Sequence, residues 1–226
     1  MIDLWTSLVP LVIGSAVVPL QIVVTVLLLR SASGRTAAAA FVAGMTTVRV
    51  MQGLVFGFLL ESADSSSTDP DGPGLVASVL LLVVAVLFLA SAAKAALKQP
   101  DEDAPPPSWM ARIEGVGPAG AFGLGAAALL ISAKVWVFTL SAIAVIADAA
   151  LGAGASIGTY VLFVVLAQSV HFGLLFVAYA VPDRSATIVG GVAAFLERRN
   201  RLIMIVLGTV FGAWFAVKAL TGLGVL

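Results

Sequence analysis

Apolar residues run along this chain in long blocks, with polar residues gathered between them, and the short alternating pattern of membrane-barrel strands is absent. A hydrocarbon core about 30 Å thick needs roughly 20 apolar residues in a helix rising about 1.5 Å per residue. Six segments meet that length: roughly Leu4–Leu29, Ala37–Leu60, Leu75–Leu97, Ala119–Ile146, Ile157–Val181 and Leu202–Gly224. The pattern therefore predicts an all-α membrane protein with six transmembrane helices. A seventh apolar stretch, Ala186–Leu196, is too short to span; it ends in Glu197 and the arginines Arg198, Arg199 and Arg201, and is expected to rest in the inner interface.

Charge between the segments sets the expected orientation. Arg30 and Arg35, then Lys94, Lys98 and Arg112, then Arg184, Arg198, Arg199 and Arg201 occupy alternate connections, which are therefore expected on the cytoplasmic side. The other two connections, Glu61–Gly74 and Asp148–Ser156, contain no Lys or Arg, so both termini are expected outside; only Lys218 runs against the bias. A multi-pass protein of the plasma (inner) membrane follows. Three spans per half require two related halves to lie in opposite orientation, a 3+3 inverted repeat over residues 1–98 and 119–226. Residues 99–118, with an acidic triplet at Asp101–Asp103 and prolines Pro105–Pro107, read as a short cytoplasmic linker within one membrane domain.

Composition agrees: 61% of residues are hydrophobic, 11% are charged and mean hydropathy is +1.12, far from a soluble domain of this size. The first apolar run lacks a basic leader and is too long for a signal peptide, so it reads as a retained span. With no Cys, one His and no acid inside any apolar segment, thiolate chemistry and a side-chain metal site are not expected. Nothing calls for a catalytic residue, a cofactor or nucleic acid.

The polar residues inside the apolar segments are few. Arg49, Lys134 and Gln168 fall near mid-span, with Gln21, Gln52 and His171 about a turn away. Arg49/Gln52 and Gln168/His171 are each spaced i, i+3, which puts each pair on one helix face. A cation at this depth is costly and usually faces a bundle interior or a wet cavity. Without an acid to pair, Lys134 loses its proton, carbonyls and water solvate both cations, or an anionic group binds; a sulfate, phosphate or carboxylate matches the arginine fork. His171 suits a proton relay or a plain structural hydrogen bond. Pro10, Gly14 and Pro19 interrupt backbone bonding in the first span, with Pro19 and Pro10 the candidate helix breaks or packing kinks. Gly117, Gly120, Gly123 and Gly125–Ala128 permit close helix approach.

The run Trp109-Met110-Ala111-Arg112-Ile113-Glu114, then Pro118, Ala121-Phe122-Gly123-Leu124-Gly125 and Lys134 closely resembles the GAP family of actinobacterial membrane proteins. That family includes the sulfolipid-1-addressing and glycopeptidolipid-addressing proteins of mycobacteria and is grouped with the LysE-type exporters. Pro19, the Arg30–Arg35 segment and the last span after Asn200 extend the likeness over most of the chain. Family members usually carry Asn-Pro-Lys in the fourth span; here the positions read Ser132-Ala133-Lys134, without the proline that would open the backbone. The resemblance implies a LysE-like fold and an inner-membrane factor for export or addressing of complex cell-envelope (glyco)lipids, working with a large lipid transporter. Two alternatives stand beside it: a self-sufficient, proton-coupled exporter of a small amino acid or other solute, and a non-transporting scaffold. The partners to expect are the bilayer, an envelope lipid or solute and, as small exporters often pair to enclose a path, a second copy of the chain.

Overall fold

A computed structural model of the chain describes residues 2–31, 33–64, 75–97, 110, 112–113 and 115–225. Nearly all of these are helical: α1 (Ile2–Ala16), α2 (Pro19–Arg30), α3 (Gly34–Asp64), α4 (Leu75–Leu97), α5 (Pro118–Ile131), α6 (Ala133–Asp148), α7 (Ala153–Ala167), α8 (Ser169–Ala180) and α9 (Pro182–Gly222), with no strand among the described residues. The loop between α3 and α4, most of the 99–118 linker and Trp109 lie outside the described residues, as do the side chains of Glu61, Lys134, Arg184, Glu197 and Lys218.

Among the described residues, α3 (Gly34–Gly57) and the second part of α9 (Arg201–Thr221) suffice by length and apolarity to cross a membrane, and counting each bent helix pair as one span raises the number to five. The chain is thus an apolar helical membrane protein. The bent pairs are where the structure departs from continuous segments. α1 and α2 meet at 48°, α5 and α6 at 70°, and α7 and α8 at 61°.

The first break falls at Val17–Val18, directly before Pro19, whose fixed φ and missing N–H suit the opening position of α2. Pro10, by contrast, lies inside α1 and does not end it. It removes one backbone hydrogen bond, but full helical turns on both sides carry the helix through, so its expectation as a break is corrected. The second break occurs at Ser132 without any proline. The Ser132 backbone is extended (φ −81°, ψ 95°), and the Trp136 indole N–H donates to the Leu130 carbonyl at 2.9 Å, satisfying an oxygen the interrupted turn exposes. Trp136 is held from the other side by an edge-on contact with Phe56, 5.6 Å between centroids. The third break lies at Gln168 (φ −111°, ψ 10°).

In the opposite sense, Ala186–Leu196 and the last span are not separate elements: α9 is continuous through Glu197–Arg201. No Gly or Pro interrupts Glu197–Arg201, and its Glu and Arg residues are strong helix formers.

The chain divides into two compact units. The first, Met1–Ser66 with Pro106–Leu196, is built around α3, which packs on α2, α5, α6, α7 and α8. The α3/α5 pair is the closest: a Cβ on Gly44 would meet the Phe122 carbonyl, and one on Gly125 the Phe41 carbonyl, so the backbones touch where neither residue has a side chain. Around that crossing Leu28, Phe41, Met45, Leu129 and Val135 form the buried apolar core. The second unit, Ser67–Pro105 with Glu197–Leu226, joins α4 to the latter part of α9. Gly208 and Gly212 admit Ala92 and Leu89, Phe88 packs on Phe211 and Phe215, and Arg201 donates to the Ala95 and Ala96 carbonyls at 3.0 and 2.6 Å. That arginine satisfies carbonyls at the end of α4 that have no partner within their own helix.

Candidate functional site: a buried polar cluster around Arg49

Arg49 sits in the middle of α3 and is 1% exposed. Its Nη1 donates to Thr139 Oγ1 on α6 at 3.2 Å, while Nε has no hydrogen-bond partner. Tyr160 of α7 lays its ring over Gly53, where any side chain would collide with it, and donates its hydroxyl to the Arg49 carbonyl at 2.6 Å. One turn before Arg49, Thr46 Oγ1 donates to the Val42 carbonyl at 2.8 Å and accepts from Gln168 Nε2 at 3.0 Å. The Gln168 side chain is therefore turned from the break between α7 and α8 toward α3.

Gln21, Gln52, Gln168 and His171 are all buried. His171, at the first turn of α8, lies within electrostatic reach of Arg49 and beside the Gln21 backbone, yet neither ring nitrogen is well aligned for a hydrogen bond among the described residues. Both polar atoms of the Gln52 amide, the Gln168 Oε1 and Arg49 Nε are likewise buried without a partner among the described residues. Six buried polar atoms on four residues of one unit is a concentration that folded interiors avoid, because each orphaned group costs about 1–3 kcal/mol. Donors and acceptors are both present: a guanidinium N–H, amide groups and an imidazole. Together they match a guest that carries negative charge and hydroxyl or carbonyl groups.

Five of the six residues singled out by sequence are thus interior: Arg49, Gln52, Gln168, His171 and Gln21. Lys134 is the second residue of α6, immediately past the Ser132 break, and its side chain lies outside the described residues. Sequence reading missed Thr46, Thr139, Tyr160 and Trp136. The first carries a usable signal, since a hydroxyl three residues before Arg49 falls on the same helix face; the others come from distant segments with no such mark. Among the described residues no group of three or more His, Cys, Asp or Glu side chains could hold a metal.

Replacing Tyr160 by phenylalanine is expected to lower stability by about 1 kcal/mol, the usual worth of one such bond. The ring keeps its seat on Gly53, so Tyr160→Phe folds and the loss reads out in thermal unfolding of the purified protein in detergent.

A family model described as Sap, sulfolipid-1-addressing protein, matches residues 8–221. No curated protein and no solved structure matches the chain.

Proposed function

The chain belongs to the sulfolipid-1-addressing protein family, and from that premise we propose that it takes the anionic or polar headgroup of a cell-envelope lipid into the interior at Arg49. The observation carrying this reading is the set of six buried, unpartnered polar atoms on Arg49, Gln52, Gln168 and His171. A sulfate or carboxylate would give Arg49 the counter-charge that the apolar segments lack. Glycolipid hydroxyls would serve the two amides and the imidazole. Helices broken at Val17–Val18, Ser132 and Gln168 supply the irregular backbone tolerated at membrane depth where it lines an interior.

In this reading the protein is an inner-membrane export or addressing factor with both termini outside. It performs no covalent step and delivers its lipid to a large transporter. Comparing surface-exposed with total envelope lipids in cells with and without the gene tests it. One lipid class should be retained inside the cell when the gene is lost, and an unchanged distribution of every class would remove the proposal. Efflux of a free amino acid by the purified chain alone in vesicles would favour a solute exporter instead.

A further inference from the structure

Between α3 and α8 runs an apolar groove of about 520 Å³, within the range of small-molecule sites. Helix α3 contributes Ala43, Thr46, Val50 and Met51, and α8 contributes Phe172 and Leu175. The two threonines in the groove, Thr46 and Thr47, spend their hydroxyl protons on the Val42 and Ala43 carbonyls of their own helix. They offer the groove a methyl group and an acceptor lone pair, so the lining suits hydrocarbon and rejects a charged headgroup.

The groove adjoins the polar cluster through the Thr46–Gln168 pair. Thr46 accepts from Gln168 Nε2, and the other end of that amide, Oε1, is buried without a partner. Arg49 follows Thr46 by one turn on α3. Phe172, a groove residue, follows Gln168 by one turn and donates its backbone N–H to the Gln168 carbonyl at 3.0 Å. Gln168 thus stands at the boundary, with hydrocarbon lining on one side and unpartnered polar atoms on the other. It also marks the 61° bend between α7 and α8, where its own backbone departs from helical geometry (φ −111°, ψ 10°).

We propose that this groove seats an alkyl chain of the same lipid whose headgroup enters at Arg49, with the Thr46–Gln168 pair as the partition between tail and head. This rests on the headgroup reading above and adds to it the requirement for an amphiphile: a free anion satisfies the cluster alone, a lipid fills both.

The test measures equilibrium binding of the full chain in detergent to a sulfated glycolipid with two acyl chains and, separately, to its chain-free sulfated sugar. Ala43→Trp fills the groove and is expected to weaken binding of the lipid at least tenfold while leaving the chain-free sugar unaffected. Because the chain contains no cysteine, Thr47→Cys can also carry a bimane label on its own. A spin-labelled acyl chain on the glycolipid should quench that label saturably, and unlabelled lipid should reverse the quenching. The same label at Leu162→Cys, on the exposed face of α7, should show only unsaturable quenching. Equal quenching at the two positions, no quenching at Thr47→Cys, or unchanged lipid affinity in a folded Ala43→Trp would overturn the tail seat. The headgroup reading survives those results if the chain-free sugar still binds, and falls with the tail seat if neither ligand binds the unaltered protein.

Discussion

Arg49→Met is expected to raise the thermal stability of the lipid-free protein and to weaken its hold on lipid sharply at the same time. A guanidinium 1% exposed, with Nε unpartnered and one bond of 3.2 Å to a neutral hydroxyl, has lost its water without full repayment. Replacing such a buried ion by an apolar residue of similar length is commonly neutral or stabilising by about 1–4 kcal/mol. Thr139 loses its partner, but a helical threonine can turn its hydroxyl to the carbonyl four residues back, as Thr25 does to Gln21. Losing one member of a buried charged contact with the guest costs about 2 kcal/mol or more, roughly thirtyfold in affinity. Thermal unfolding and glycolipid binding by one purified variant check both halves. An Arg49→Met protein that melts earlier and still moves lipid would show the arginine to be structural. Function held at the expense of stability is the pattern expected of a strained binding site.

Gly44→Ala and Gly125→Ala are expected to be the most damaging conservative changes in the chain. The added methyl groups would strike the Phe122 and Phe41 carbonyls, which belong to backbone and cannot rotate away. The α3/α5 crossing must then widen, at about 1–3 kcal/mol or more for each site. Together they should prevent assembly, because α3 is the helix on which α2, α5, α6, α7 and α8 pack. Gly123→Ala on the same helix α5 meets nothing within 4 Å, and should be neutral or gain up to about 1 kcal/mol of helix propensity. Denaturation of the three variants in detergent separates close packing from propensity; equal effects at Gly44 and Gly123 would refute the backbone contact.

Helix breaks show where reading the chain succeeds and fails. Pro19 announced its break because proline lacks an N–H and fits the first position of the next helix. Ser132 did not, since the resemblance points to a proline that is absent; the break persists because Trp136, four residues on, satisfies the Leu130 carbonyl. Gln168 was read as a mid-span polar residue, and its amide indeed turns inward, but only Thr46, 122 positions earlier, explains where it points. The Ala186–Leu196 stretch looked separate because its charged end marks an interface, yet α9 runs through it, Gly190 and Gly191 included, with no proline to stop it.

By itself the sequence determined that this is a helical membrane protein, which family it resembles, and that Arg49, Gln52, Gln168 and His171 form two polar faces in apolar surroundings. Those properties depend on length, hydropathy and the helical repeat, all of which act over a few turns of one chain segment. Only the tertiary structure decided that the two faces meet in one unit, that a threonine from each of α3 and α6 bonds into them, and that a groove adjoins them at Gln168. Hydrogen bonds between segments a hundred residues apart depend on how helices cross, and the crossing is set by glycine contacts whose partners no local pattern encodes.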